Sequence, residues 1–91
     1  MNDEITVTVR GKRWKLMFIP LKGDADGTCD PPDAAGKAIR INSSLKDERR
    51  MEVVVHELLH AGHWDLDEKA VEETARDIAR ALWRIGYRDT D

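Results

Sequence analysis

One cysteine, Cys29, is all the chain has, so no internal disulfide is possible, and this cysteine usage fits a reducing compartment. No apolar run approaches the ~18 residues that a membrane span requires. The first residues, Met1-Asn2-Asp3-Glu4, are acidic where a secretion signal would be basic, so a cytoplasmic location is expected. There is no excess of positive charge: 15 Lys and Arg stand against 18 Asp and Glu, the net charge is −3, and the basic residues are mostly offset by acidic neighbours. That balance excludes a polyanion binder and predicts no nucleic-acid partner. No repeat, linker or low-complexity tract divides the 91 residues, which suffice for one small domain with a single modest core.

What is present is concentrated in the motif His56-Glu57-Leu58-Leu59-His60, set in a run that reads as helix. On an α-helix, positions i and i+4 differ by about 40° in azimuth and about 6 Å in height, so both imidazoles lean over one point and can share a metal ion. Zn²⁺ is the expected ion, because imidazole suits it and a catalytic zinc takes three protein ligands and keeps one position open for water. Glu57, next to the first ligand, is placed to take a proton from that water as general base. The competing reading is an ordinary helix with histidines in the core. Met51, Val54, Val55, Leu58 and Leu59 follow i, i+3, i+4 spacing as one apolar stripe, while His56 and His60 fall opposite it with Val53, and Glu57 lies near the edge. That separation favours the metal site.

Around the motif the pattern is α+β. Residues 5–9 alternate, 10–13 interrupt with Gly11, and 14–19 resume an apolar run that Pro20 ends, which predicts a β-hairpin. Residues 21–37, with Gly23, Gly27, Pro31, Pro32 and Gly36, predict one long loop. Cys29 within it could ligate a nearby metal, though a small buried loop residue is the plainer expectation. Residues 37–42 predict a third strand, either a plain sheet strand or one whose free edge beside the helix could bind an extended peptide. Ser43 and Ser44 offer N-caps for a helix over 45–61, Asp47 and Glu48 complement its dipole, and Gly62 stops it. A second helix is predicted from 67 or 68 to 85, with Val71, Ala75, Ile78, Ala79, Leu82 and Ile85 as its apolar stripe. Gly86 terminates it, and Tyr87 closes the cap.

A third metal ligand is required. Glu68 ranks first, because the helical wheel puts it inside the second helix's apolar stripe and in the first turn after a short loop from His60. Glu72, one turn later, is second, and His63 or Asp65 follow. Glu73 points away.

These residues carry a resemblance. His56-Glu57-Leu58-Leu59-His60 followed by a helix with Glu68-x-x-Val71-x-x-x-Ala75-x-x-Ile78 resembles the gluzincin metallopeptidases, in particular the small single-domain forms of phages and prophages. The end of the chain, Leu82-Trp83-Arg84-Ile85-Gly86-Tyr87, is similar to the C-terminal end of such proteins. The resemblance implies a minimal zincin-like α+β domain: a three-stranded sheet, hairpin plus one strand, packed on the active-site helix and a C-terminal helix. It also implies a zinc metallopeptidase acting on a peptide or protein substrate, with His56, His60 and Glu68 on the metal and Glu57 as base and then proton donor. The gap from His60 to Glu68 is shorter than in large gluzincins, no second lobe is present, and Tyr87 is an oxyanion candidate on chemistry alone. Two other readings remain: a binding or regulatory module that keeps zinc for stability, and a metal hydrolase of non-peptide substrates. Glu57 favours catalysis, since a structural zinc is normally closed by a fourth side chain and has no use for a base.

Overall fold

The computed structural model describes residues 4–89. Four strands, β1 (Glu4–Val9), β2 (Lys12–Ile19), β3 (Gly27–Cys29) and β4 (Ala38–Asn42), precede two helices, α1 (Asp47–Gly62) and α2 (Glu68–Arg84). The strands form one mixed sheet in the order β1-β2-β4-β3. The predicted α+β class holds, but the sheet has four strands rather than three. The extra one is β3, inside the segment read as loop, and it pairs antiparallel with β4. A three-residue strand of Gly, Thr and Cys among Gly and Pro breakers is too short to show a period.

The hairpin is closed by Arg10 and Gly11, both at positive φ (48° and 78°), the two-residue turn whose twist matches that of the strands. Trp14 and Leu16 of β2 point inward with Ile39 and Ile41 of β4, and Val53 and Ala61 of α1 complete the buried cluster. β2 and β4 run parallel, with Leu16 opposite Ile39 and Phe18 opposite Ile41.

Layering is sheet, α1, α2: α1 touches β1, β3, β4 and α2, whereas α2 packs on α1 alone. Burial on α1 therefore differs from the wheel. Its buried positions are Val53, Glu57, Ala61 and Gly62, and the stripe 51, 54, 55, 58, 59 is only half-buried. A helix covered on two sides spreads its apolar contacts instead of hiding one stripe. On α2, Val71, Ala75 and Ala79 are buried as expected, but Ile78 is exposed and Ile85 is 70% exposed, because only one narrow face meets α1.

The helix ends also differ in part. α1 begins at Asp47 with Lys46 as N-cap and no side-chain cap bond. The serines lie in the turn before it, where Ser43 N–H donates to the Ile19 carbonyl and Ser44 N–H to Asn42 Oδ1. The C-terminal end of α1 is held by Arg10, whose Nη1 donates to the Gly62 carbonyl at 2.9 Å, tying the hairpin turn to the helix. α2 starts on Asp67, whose carboxylate accepts the Ala70 N–H at 3.1 Å, and ends at a left-handed Gly86 (φ 99°). Gly86 N–H donates to the Trp83 carbonyl and Tyr87 N–H to the Leu82 carbonyl, both at 3.1 Å, closing the cap through the backbone, with Tyr87 61% exposed. No described helix is long and apolar enough to cross a membrane.

Candidate metal centre

Helical spacing brings His56 and His60 to one side of α1, and their Nε2 atoms lie 3.2 Å apart. The short connection after His63 turns the chain back, and the Asp67 cap fixes the first turn of α2 so that Glu68 reaches over both rings. Glu68 Oε1 is 3.0 Å from His56 Nε2, and Oε2 is 3.0 Å from His60 Nε2. Within the described residues these three side chains form the group of His, Cys, Asp and Glu able to hold a metal ion, with all ligand atoms within 4.8 Å of one another. Zn–N bonds of about 2.0–2.1 Å in a tetrahedron separate ligand atoms by about 3.3 Å, close to the observed spacings, so the donor set fits zinc in size and in kind.

Glu68 arrives there differently from its expected path. Its side chain is 66% exposed, not buried in the α2 stripe, because the helix overhangs its partner at this first residue. Glu72 is exposed and lies outside the group, on the side of α1 toward Asp26 and Arg49. His63 is the C-cap of α1, with its N–H on the Leu59 carbonyl and its side chain exposed, and Asp65 is exposed in the following turn.

Glu57 is the buried charged residue of the fold, 7% exposed. Burial holds its carboxyl above the usual range. The nearby His56 opposes that shift and the charge of Glu68 adds to it. The sequence placed Glu57 near the edge of the stripe; the position is instead covered by β3. Gly27 passes so close that a Cβ there would lie 2.9 Å from Val53 Cγ1 and 3.1 Å from Glu57 Oε2.

A cavity of about 530 Å³ opens over these groups, with Cys29, Trp64 and Leu66 in its wall. Trp64 meets His60 edge to face, ring centroids 6.4 Å apart, a contact that no motif in the sequence announces. Cys29 reaches the cavity but stays outside the donor group. Its thiol donates to the Asp30 carbonyl at 3.4 Å, and burial, aided by the charges of Glu57 and Asp30, pushes its pKa up to about 12, so it remains a thiol. Tyr87 is absent from the cavity wall.

β4, read as the strand with a free edge, is paired on both sides, with β2 and with β3. The edge beside the cavity belongs to β3. Asp30 fastens its end: Oδ2 accepts the Ala38 N–H and Oδ1 accepts from Arg40 Nη1, both at 2.9 Å.

The chain matches no protein-family model, no curated protein and no solved structure.

Proposed function

We propose that this protein is a zinc-dependent peptidase, with His56, His60 and Glu68 holding the ion and Glu57 as general base. The observation that carries this reading is the convergence of three donor side chains, the two histidine Nε2 atoms 3.2 Å apart and each 3.0 Å from one oxygen of Glu68, beside a buried carboxyl that no described residue binds. A zinc ion held there would supply a water made acidic enough to lose its proton near neutral pH and a Lewis acid for the carbonyl. Glu57 takes the proton and passes it to the leaving amine. Its burial suits both halves of that task, because a carboxyl of raised pKa holds a proton more readily than a solvated one. Trp64 and Leu66 supply an apolar wall to the cavity, and the free edge of β3 offers backbone groups to an extended peptide. These are the roles that the resemblance of His56-Glu57-Leu58-Leu59-His60 to small gluzincins implies.

A second reading is favoured by one feature: Tyr87, the oxyanion candidate, is exposed and away from the cavity. A zinc-stabilised binding module without turnover needs no such group.

Zinc content of the purified protein, measured by elemental analysis beside Glu68→Ala, Glu72→Ala and Glu57→Gln, tests the proposal together with a peptide-cleavage screen. Near-equimolar zinc in the wild type, lost in Glu68→Ala and kept in the other two, is expected, with cleavage abolished in Glu57→Gln. Zinc lost in Glu72→Ala instead would reassign the third ligand. Zinc without cleavage in the wild type would support the module, and absence of zinc after its addition would sink both readings.

A further inference from the structure

A second, smaller cavity of about 230 Å³ adjoins the metal centre, and Gly27, His56 and Glu57 line both. Its remaining wall is Asp26, Arg49, Glu52, Val53 and Glu72. The wall thus presents four carboxyl groups and one guanidinium. Arg49 is committed: Nη1 bonds Glu52 Oε2 at 2.8 Å, and Nη2 bonds Asp26 Oδ2. Both of its contacts hold carboxylates, so it leaves Glu72 and Glu57 without a cationic partner among the described residues.

Glu57 gives this acidic wall a meaning beyond a solvated surface. It is buried to 7% exposure, is bound by no described residue, and faces both cavities from between them. A polar group kept in such a place calls for a ligand on its open side. The free edge of β3 runs past both cavities, with Gly27 lining both and Cys29 only the larger. An extended chain laid along that edge, with a peptide bond at the metal centre, sends a neighbouring side chain into the smaller cavity.

We infer that the cavity between Asp26, Glu52 and Glu72 is a specificity subsite for a cationic side chain, arginine or lysine, next to the peptide bond at the metal centre. The inference rests on the peptidase reading for the position of the chain but not for the binding of the cation. A long aliphatic stem packs on Val53, and its charged head meets Glu72, which no described cation pairs, while Asp26 and Glu52 keep Arg49.

The test is binding by calorimetry of two blocked pentapeptides, identical except for a central arginine or its uncharged isostere citrulline, to the wild type and to Glu57→Gln, Glu72→Gln and Asp26→Asn/Glu72→Gln. Circular dichroism confirms that each variant is folded. The arginine peptide is expected to bind about tenfold tighter than the citrulline peptide to the wild type, with part of that preference lost in Glu57→Gln, most of it in Glu72→Gln and all of it in the double variant. Equal binding of the two peptides, binding of neither, or a preference that survives the double variant overturns the subsite. Cleavage of the same peptides is scored separately. Preference without cleavage counts against the peptidase reading alone, and cleavage without preference counts against the subsite alone.

Discussion

Gly27 has no side chain because there is no room for one. A Cβ at this position would lie 2.9 Å from Val53 Cγ1 and 3.0 Å from Glu57 Cγ, and Val53 is a stiff β-branched residue in the core. Gly27→Ala therefore pushes β3 off α1. A loss of about 1–3 kcal/mol is expected from denaturant unfolding, together with weakening of the proposed hydrolysis, because the displaced strand covers Glu57. A variant as stable and active as the wild type would show that β3 moves freely. At this scale the histidines were legible, since i, i+4 spacing alone makes two side chains converge. The burial of Glu57 was not, because it depends on a strand that arrives from thirty residues earlier in the chain and carries no pattern of its own. Of the two reasons that pointed to Glu68, its place in the first turn after a short loop from His60 holds, and burial in the apolar stripe does not: it meets the histidines from the tip of a capped helix.

Among the elements, the start of α2 decides where Glu68 sits. Asp67 accepts the Ala70 N–H, and removing that cap by Asp67→Ala is expected to cost about 1 kcal/mol of stability. It also frays the turn that carries the third donor, so zinc affinity should fall more than stability does. Competition with a chromogenic chelator measures it, and unchanged affinity would show that Glu68 is held by the metal rather than by the helix. The β3–β4 junction predicts a pH dependence. Arg40 bonded to Asp30, helped by the Ala38 N–H, holds that carboxyl below its ordinary value near 3.8. A depressed folded pKa means stability that is present above the unfolded value and lost as pH falls through the folded one. With the pair 34% and 29% exposed, solvent screening limits it to about 1 kcal/mol. Chemical denaturation should show Asp30→Asn less stable than the wild type near neutrality, with the gap closing below the ordinary carboxylate range. A gap that persists at the acid end would point to packing instead of charge. Both helices and three of the four strands follow from period and breakers. The start of α1 did not, because the helix begins at Asp47 behind Lys46 with no side-chain cap bond, after a turn closed by the backbone N–H groups of Ser43 and Ser44, and turn bonding of that kind leaves no mark on hydrophobic spacing.

For the molecule as a whole, the His56–His60–Glu68 group bridges parts that otherwise meet along a thin seam. α2 packs on α1 and on no strand, its buried residues are Val71, Ala75 and Ala79, and two of these are the smallest apolar side chains. Such a face contributes little hydrophobic stabilisation, on the order of 25 cal/mol per Å² of apolar surface covered. The His56–His60–Glu68 group spans that interface at one end. A ligand that binds the folded state alone stabilises it by mass action, about 2.7 kcal/mol at a free concentration 100 times its dissociation constant. In a domain of this size each kcal/mol moves the melting temperature by roughly 4–8 °C. Zinc removal by a chelator is therefore expected to lower the Tm by about 10–20 °C, with no such drop in His60→Ala, which has no complete donor set to lose. Hydrogen exchange locates the effect: amides of α2 should lose protection first, while the β2–β4 core around Trp14, Ile39 and Ile41 keeps its own. A Tm indifferent to zinc in a protein that holds zinc would mean the seam is closed by packing alone, and the metal would then serve chemistry without serving the fold.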